Sequence, residues 1–483
     1  MDFRTTTALV EALHSGRISA TEALSHSIRR IEALDGKLNA VIVRDFERAR
    51  AAATAADAEL ARGERRALLG VPMTVKESFN VAGLPTTWGT PGTGATAEKD
   101  AIAVRRLKTA GAIIVGKTNV PTNLGDVQTV NAVYGLTRNP WNLARTPGGS
   151  SGGSAAALAA GLVPLELGSD LGGSLRFPAH CCGIFAHKPT YGLIPLRGHA
   201  PPGAPDVLFG GDPDLAVVGP MARCAADLML AFDLLAGPDD AEAVGYKLAL
   251  PPARHARLSE FKVLVLDEHP ALSLSNEVRA AIARFEENLR RAGCVTERSS
   301  PLLPDLTVVS NVFTRLLMSY IGAGLPDAAY DRLRQQAAQA PAGDNDPGSL
   351  RLHALVASHR DWIRADRKRA FLSDQWNQLF RVWDVVICPV LPTTAFAHDG
   401  AEMEQRRIDV DGRSIPYASQ MLWAGPASVC GLPATVMPIG VGPSGLPIGV
   451  QIVGPYLEDR STMAFAALAE REFGGFIVPP GYD

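Results

Sequence analysis

The stretch from Thr146 to Pro178, TPGGSSGGSAAALAAGLVPLELGSDLGGSLRFP, narrows the choice of fold more than any other part of the chain. Two glycine-rich loops, Gly148-Gly149-Ser150-Ser151-Gly152-Gly153 and Asp170-Leu171-Gly172-Gly173-Ser174-Leu175-Arg176, enclose a short helix and a short apolar run. Glycine reaches backbone conformations closed to other residues, so both loops can turn sharply. A serine flanked by glycines also has what acyl transfer needs. A carbonyl can approach it, and backbone N–H groups remain free to bind an oxyanion. Ser150 and Ser174 are 24 residues apart, a spacing that suggests one acting on the other.

Elsewhere helical and strand signals alternate, which predicts an α/β architecture. The expectation is a large mixed twisted sheet covered on both faces by helices, with a helical insertion over the active site. Thr5–Ser15 and Ser19–Leu34 read as amphipathic helices with hydroxyl caps, and 44–62 as an Ala/Arg/Glu helix. Asp100 is expected to cap the helix that ends at Gly111. Apolar runs at 71–75, 112–115, 163–167, 262–266, 384–388, 434–438 and 448–453 read as buried strands. From about Leu272 to Trp383 the pattern is helical, broken by an exposed loop at Pro341–Gly348, and strand signals resume at Asp384. The expected organisation is one continuous domain in four parts: N-terminal helices at 1–65, a core at 66–271, a helical cap at 272–383, and the end of the core sheet at 384–483.

Composition excludes several function classes. A net charge of −3 with no basic stripe gives no footprint for nucleic acid. The basic run RADRKR at 364–369 reads as one solvated face of a helix. The N-terminus lacks the order of a signal peptide, and no window reaches the ~18 apolar residues of a membrane span. Six cysteines in 483 residues have neither metal spacing nor disulfide density, so all six are expected as buried reduced thiols of a cytoplasmic protein.

The Gly172-Gly173-Ser174 turn can aim successive N–H groups at one anion. A serine hydroxyl needs a base to become a nucleophile. Histidine is the usual base, but none of the ten sits in a pattern with an acidic orienter, and Ser174 is not in a G-x-S-x-G elbow. Lys76 is the other candidate. It follows the apolar run Val71-Pro72-Met73-Thr74-Val75 and so emerges at the end of a buried strand, where desolvation lowers a lysine pKa. Ser150 can bridge, taking the Ser174 proton and passing its own to Lys76.

Lys76 in TVKES, the loop GGSSGGSAAALAAG and the loop GSDLGGSLRFPA resemble the signature of the amidase signature family of serine hydrolases. The resemblance extends through KTNVP at 117–121, YGLTRNPWN at 134–142, KPTYG at 188–192, VVGPMAR at 217–223 and GLPIGVQIVG at 445–454. It implies a Ser-cisSer-Lys triad: Ser174 as nucleophile, Ser150 as bridging serine after a cis peptide, Lys76 as general base. It also implies an oxyanion hole of the Leu171, Gly172, Gly173 and Ser174 N–H groups, with Ser151, Asp170 and Arg176 supporting the loops. Neither metal nor organic cofactor is required. Three positions depart from the usual pattern: Glu77 for aspartate, Thr122-Asn123-Leu124 after KTNVP, and Ser169 for threonine.

The implied activity is hydrolysis of an amide C–N bond in a small-molecule substrate. Aromatic and apolar residues point to aryl or medium-chain amides, with carbamates and esters open to the same chemistry. Thr122, Asn123, Tyr134, Phe177 and Trp423 are the expected pocket residues, and 308–324 with Met421-Leu422 the expected acyl channel. Rival readings are one subunit of a glutamine-hydrolysing amidotransferase, a peptide amidase, and an inactive binding protein. Whether identical chains associate is left open.

Overall fold

The structure is a computed structural model that describes residues 5–204, 213–341 and 346–483. Its centre is a mixed sheet of eleven strands. From one edge to the other they run Val41–Arg44, Ile113–Thr118, Pro72–Lys76, Leu165–Asp170, Val217–Ala222, Phe185–Lys188, Ala434–Val441, Pro447–Val453, Val385–Pro389, Lys262–Val265 and Val295–Glu297. All the strands expected from apolar runs are present. Val41–Arg44, Phe185–Lys188 and Val217–Ala222 are additional: the first has only three apolar residues before Arg44, a histidine and a lysine interrupt the second, and a glycine and a proline the third.

Each central strand feeds two cores. Val263, Val265, Val385 and Ile387 face a cluster that includes Leu9, Leu24, Leu228, Ile282 and Phe465. The alternate residues Leu264, Val386 and Cys388 face a second cluster with Phe313, Leu316, Trp376 and Trp423. Period-two alternation sends successive side chains to opposite faces, so helices cover both.

The pairing of two strands positions the site. Pro72–Lys76 runs parallel to Leu165–Asp170, with Thr74 opposite Glu166. Parallel strands end on the same side of the sheet, so Lys76 and the loop after Asp170 emerge together, where open α/β sheets place their ligands.

The helical middle departs from expectation at its start. Asn276–Arg291 packs on the sheet, and Val295–Glu297 pairs in parallel with Lys262–Val265 as an edge strand. Three residues with two polar side chains carry no periodic signal, so this strand was invisible in the sequence. The cap proper is built from Leu306–Ala323, Asp327–Gln339, Pro347–Leu355 and His359–Leu379. Residues 342–345 of the loop expected at Pro341–Gly348 lie outside the described residues.

Two further corrections concern helices. Thr5 and Ser19 cap their helices, Ser19 in a full capping box with Glu22. Asp100, by contrast, caps nothing: Ala101 is the N-cap of Ile102–Thr109, and the Asp100 carboxylate accepts from Ala82 N and pairs with Lys108. A long-range partner outcompetes the local cap. Leu306–Ala323 is also long and apolar enough to cross a membrane, which no sequence window suggested. Half of that stretch is buried, packed against Pro347–Leu355, His359–Leu379 and Gly425–Val429. All six cysteines are buried and free.

Candidate active site

Lys76 ends its strand with its side chain fully buried. Its Nζ lies 2.6 Å from Ser150 Oγ, 2.9 Å from Ser169 Oγ and 3.5 Å from the Ser169 carbonyl. Burial pushes the amine pKa down to about 7, against the pull of the Asp170 carboxylate. A neutral amine has two N–H donors and one lone pair. With Ser169 accepting the donors, the lone pair is left for the Ser150 hydroxyl. Ser169, noted in sequence only as a mild departure, is thus in direct contact with the base.

The Gly149–Ser150 peptide is cis. A Cβ at Gly149 would collide with the Asp126 carbonyl, so the backbone passes where no side chain fits. Thr129 Oγ1 donates to the Gly148 carbonyl at 2.8 Å, which anchors the turn. Ser151 then joins the two serine loops: its N–H donates to the Ser174 carbonyl and its hydroxyl to the Ser169 carbonyl, each at 3.2 Å. Exposure is graded along the expected relay. Lys76 and Ser150 are buried, and Ser174 is partly exposed.

Asp170 and Arg176 hold the nucleophile loop. The buried guanidinium donates from Nε and Nη2 to the two carboxylate oxygens at 3.0 Å each. It also reaches Ala424 O, Gln451 and Ser428. Burial alone would raise the Asp170 carboxyl, but Arg176, Lys188 and the Gly173 N–H outweigh it and hold it at about 2. Gly173 N–H donates to Asp170 at 2.7 Å, so it leaves the expected set of oxyanion donors. Leu171, Gly172 and Ser174 remain.

The expected pocket residues separate. Phe177 and Trp423 are buried, Phe177 with its ring against Gly173 and Trp423 packed edge-on against His269. They serve the core. Thr122 and Asn123 are exposed, and the Asn123 amide oxygen accepts from Thr90. The Tyr134 hydroxyl lies 3.5 Å from Glu77. Glu77 accepts from Thr87 N, Thr87 Oγ1 and Trp88 N at 2.6, 2.9 and 3.0 Å, and so folds the loop beside the base. Besides Phe177, the side chains that meet the nucleophile loop come from the expected acyl channel: a Cβ at Gly172 would meet Met421 at 3.1 Å, Leu317 at 3.3 Å and Phe313 at 3.7 Å. The cap helix Leu306–Ala323 and Met421 therefore close over the loop with apolar surface.

Histidine does not take the base position. His199 bonds Ser78 at 3.0 Å, and His180 bonds the backbone at Gly449 and Thr393. His187 does have an acid, Asp459 at 3.1 Å, supplied across 272 residues and so invisible in the sequence. None of the three bonds a serine of the two loops.

Comparison with known proteins shows the family of the chain. The family described as Amidase matches residues 22–463. One of the subunits of the glutamyl-tRNA(Gln) amidotransferase of Roseiflexus castenholzii is 35% identical over 471 residues, covering 94% of this chain and 92% of the relative. The putative amidase AmiB2 of Mycobacterium tuberculosis is 36% identical, covering 96% and 95%. A solved chain from a vestigial protein complex, described as revealing the evolutionary origins of an s-triazine catabolic enzyme, superposes with a TM-score of 0.80. It is 32% identical, with 98% of this chain and 99% of that one covered. With the family matched over nearly its whole length and two serine loops gathered around a buried lysine, the chain belongs to the amidase signature family and is an amide-hydrolysing enzyme.

Proposed function

We propose that the chain cleaves amides through an acyl-enzyme on Ser174, with Ser150 and Lys76 as its proton relay. The contact of 2.6 Å between Lys76 Nζ and Ser150 Oγ carries this reading. Ser174 Oγ attacks the carbonyl carbon as its proton passes to Ser150 and that of Ser150 to Lys76. The N–H groups of Leu171, Gly172 and Ser174 bind the oxyanion. Collapse breaks the C–N bond, and the proton returns from Lys76 through Ser150 to the leaving amine. Water then attacks the acyl-enzyme by the same relay and releases the carboxylate. A lysine pKa near 7 suits this work, because a base is most effective with its pKa near the working pH.

The substrate class is an amide with an aryl or medium-chain acyl group. Phe313, Leu317 and Met421 support it, since they cover the nucleophile loop with apolar surface and bring no charge to it. Carbamates and esters fit the same chemistry. The amidotransferase name of several relatives favours a second reading, glutamine hydrolysis within an enzyme of several different chains. The free cysteines support a reducing compartment such as the cytoplasm.

The test is amine release from aryl amides, alkyl amides, carbamates, esters and glutamine, with Ser174→Ala as the blank. Release from aryl or alkyl amides is expected. Activity on glutamine alone, and only with partner chains added, would replace this reading with the second one.

A further inference from the structure

One short helix is tied to both serine loops, one end to each. It is the 3-10 helix Tyr417–Ala424, with Tyr417, Gln420, Trp423 and Ala424 buried.

Its first residue is tied to the Ser150 side. The Tyr417 hydroxyl donates to Asp126 Oδ1 at 2.6 Å. Arg406 donates to the other carboxylate oxygen, and its guanidinium carbon lies 5.3 Å from the centroid of the Tyr417 ring. Burial and the Asp126 charge raise the phenol pKa, so the hydroxyl keeps its proton and remains a donor. Asp126 begins the segment on which the Ser150 turn rests. A Cβ at Gly149 would collide with the Asp126 carbonyl and meet that of Gln128 at 2.9 Å. The chain leading to Tyr417 grips the same segment. Gln128 exchanges hydrogen bonds of 2.8 and 3.0 Å with the Asp399 backbone, and Thr146 N–H donates to Phe396 O at 2.9 Å.

The last residues of the helix are tied to the Ser174 side. Arg176 Nη1 donates to the Ala424 carbonyl at 3.0 Å, and Gln451 Nε2 donates to the Trp423 carbonyl at 2.6 Å. Arg176 is the residue whose pairing with Asp170 holds the nucleophile loop. A Cβ at Gly425, the next residue, would meet Phe313 of the cap at 3.5 Å. Between the two anchors stands Met421, whose terminal methyl meets Gly172.

The anchors differ in kind. Those at Trp423 and Ala424 use backbone carbonyls. The one at Tyr417 hangs on a single side-chain oxygen, bonded across 291 residues. A short helix held at both ends fixes the side chains along it, whereas one held at a single end can swing.

We propose that the Tyr417–Asp126 bond fixes Met421 over the nucleophile loop and so sets which acyl groups reach Ser174, a role that rests on Ser174 being the nucleophile. Both residues act through Met421 and are positioning residues.

The test compares KM and kcat for acetyl and hexanoyl anilides in wild type and Tyr417→Phe, which loses only the hydroxyl. KM for the hexanoyl anilide is expected to rise about tenfold, and for the acetyl anilide less than about twofold, because the longer chain has more contact with Met421 to lose. In a Met421→Ala background the same substitution should change the ratio of the two KM values by less than about twofold, since the side chain it positions is gone. An equal rise for both anilides, or an effect that simply multiplies that of Met421→Ala, would overturn the proposal. Asp126→Asn keeps an oxygen that can accept from Tyr417 and removes the charge facing Arg406. Its shift in the KM ratio should be smaller than that of Tyr417→Phe. A larger shift would give the role to the ion pair and take it from the hydroxyl.

A second readout needs no turnover. Backbone hydrogen exchange in Tyr417→Phe should quicken about tenfold within 417–424 and stay unchanged in the strand Pro447–Val453. Exchange unchanged in the helix, or quickened equally in both, would overturn the anchor. Undiminished turnover in Ser174→Ala would remove the nucleophile instead, with the exchange result still standing.

Discussion

Two lysines of this protein are buried to the same degree, and their surroundings differ in kind. Burial pushes both Lys76 and Lys188 down to about 7. Lys76 meets the hydroxyls of Ser150 and Ser169. Lys188 donates to the Pro189 carbonyl at 2.8 Å, with Arg176 adding to the effect of burial and Asp170 and Asp459 opposing it. A carbonyl can only accept, so it offers Lys188 no proton to take. A hydroxyl both accepts and donates. Desolvation thus makes a lysine basic near neutrality, but the neighbouring atom decides whether that basicity does chemistry.

The sharpest break between the two sites is substitution. Lys76→Met, like Ser174→Ala, should lower kcat/KM by about 10⁴-fold or more with folding intact, as circular dichroism and thermal melts would check. An active Lys76→Met protein would erase the distinction. Ser150→Ala should cost about 10²–10⁴-fold, the range of a lost proton-transfer partner, read from the same assay.

Asp170 touches both sites electrostatically, and its loss tests the scaffold they share. Asp170→Asn leaves Arg176 buried without its anion and should destabilise the fold by about 3–5 kcal/mol, measured by denaturant unfolding. The sign of the pH effect follows from its depressed value of about 2. The folded carboxyl stays ionised where an unfolded one is protonated. Its stabilisation is therefore complete above pH ~4 and lost as pH falls from ~4 to ~2. Wild-type melts across that window should show the loss.

Lys188→Met should leave the acid limb of kcat/KM in place and change its plateau by less than about tenfold. That limb reports the free amine of Lys76, so activity should fall as pH drops through its value of about 7. A limb that moved with Lys188 would show that the two lysines titrate together. An effect confined to KM is expected beside the cap: Met421→Ala should raise KM for medium-chain amides by about 10-fold, with kcat little changed.

Much of this was legible in the sequence because the information was local. Ser150 and Ser174 announced themselves through flanking glycines, and Lys76 through the apolar run before it. Asp170 and Arg176, six residues apart, form their pair within one loop. The pocket was less legible. Phe177 was expected to line the pocket but is folded onto Gly173, and Trp423, also expected there, lies in the core while Met421 of the expected channel approaches Gly172. Adjacent residues on a turn face different ways, and sequence proximity does not say which way. The oxyanion donors were misjudged at Gly173 for a related reason: its N–H had a partner three residues upstream.

By itself the sequence determined the α/β class, the amidase chemistry and the three residues of the proposed relay, since each depends on residue type within a short window. The tertiary structure decided which buried lysine meets a hydroxyl and which part of the middle section covers the site. Those facts depend on strand register. The parallel pairing of Pro72–Lys76 with Leu165–Asp170 joins segments about 90 residues apart, and no local pattern encodes which strands become neighbours.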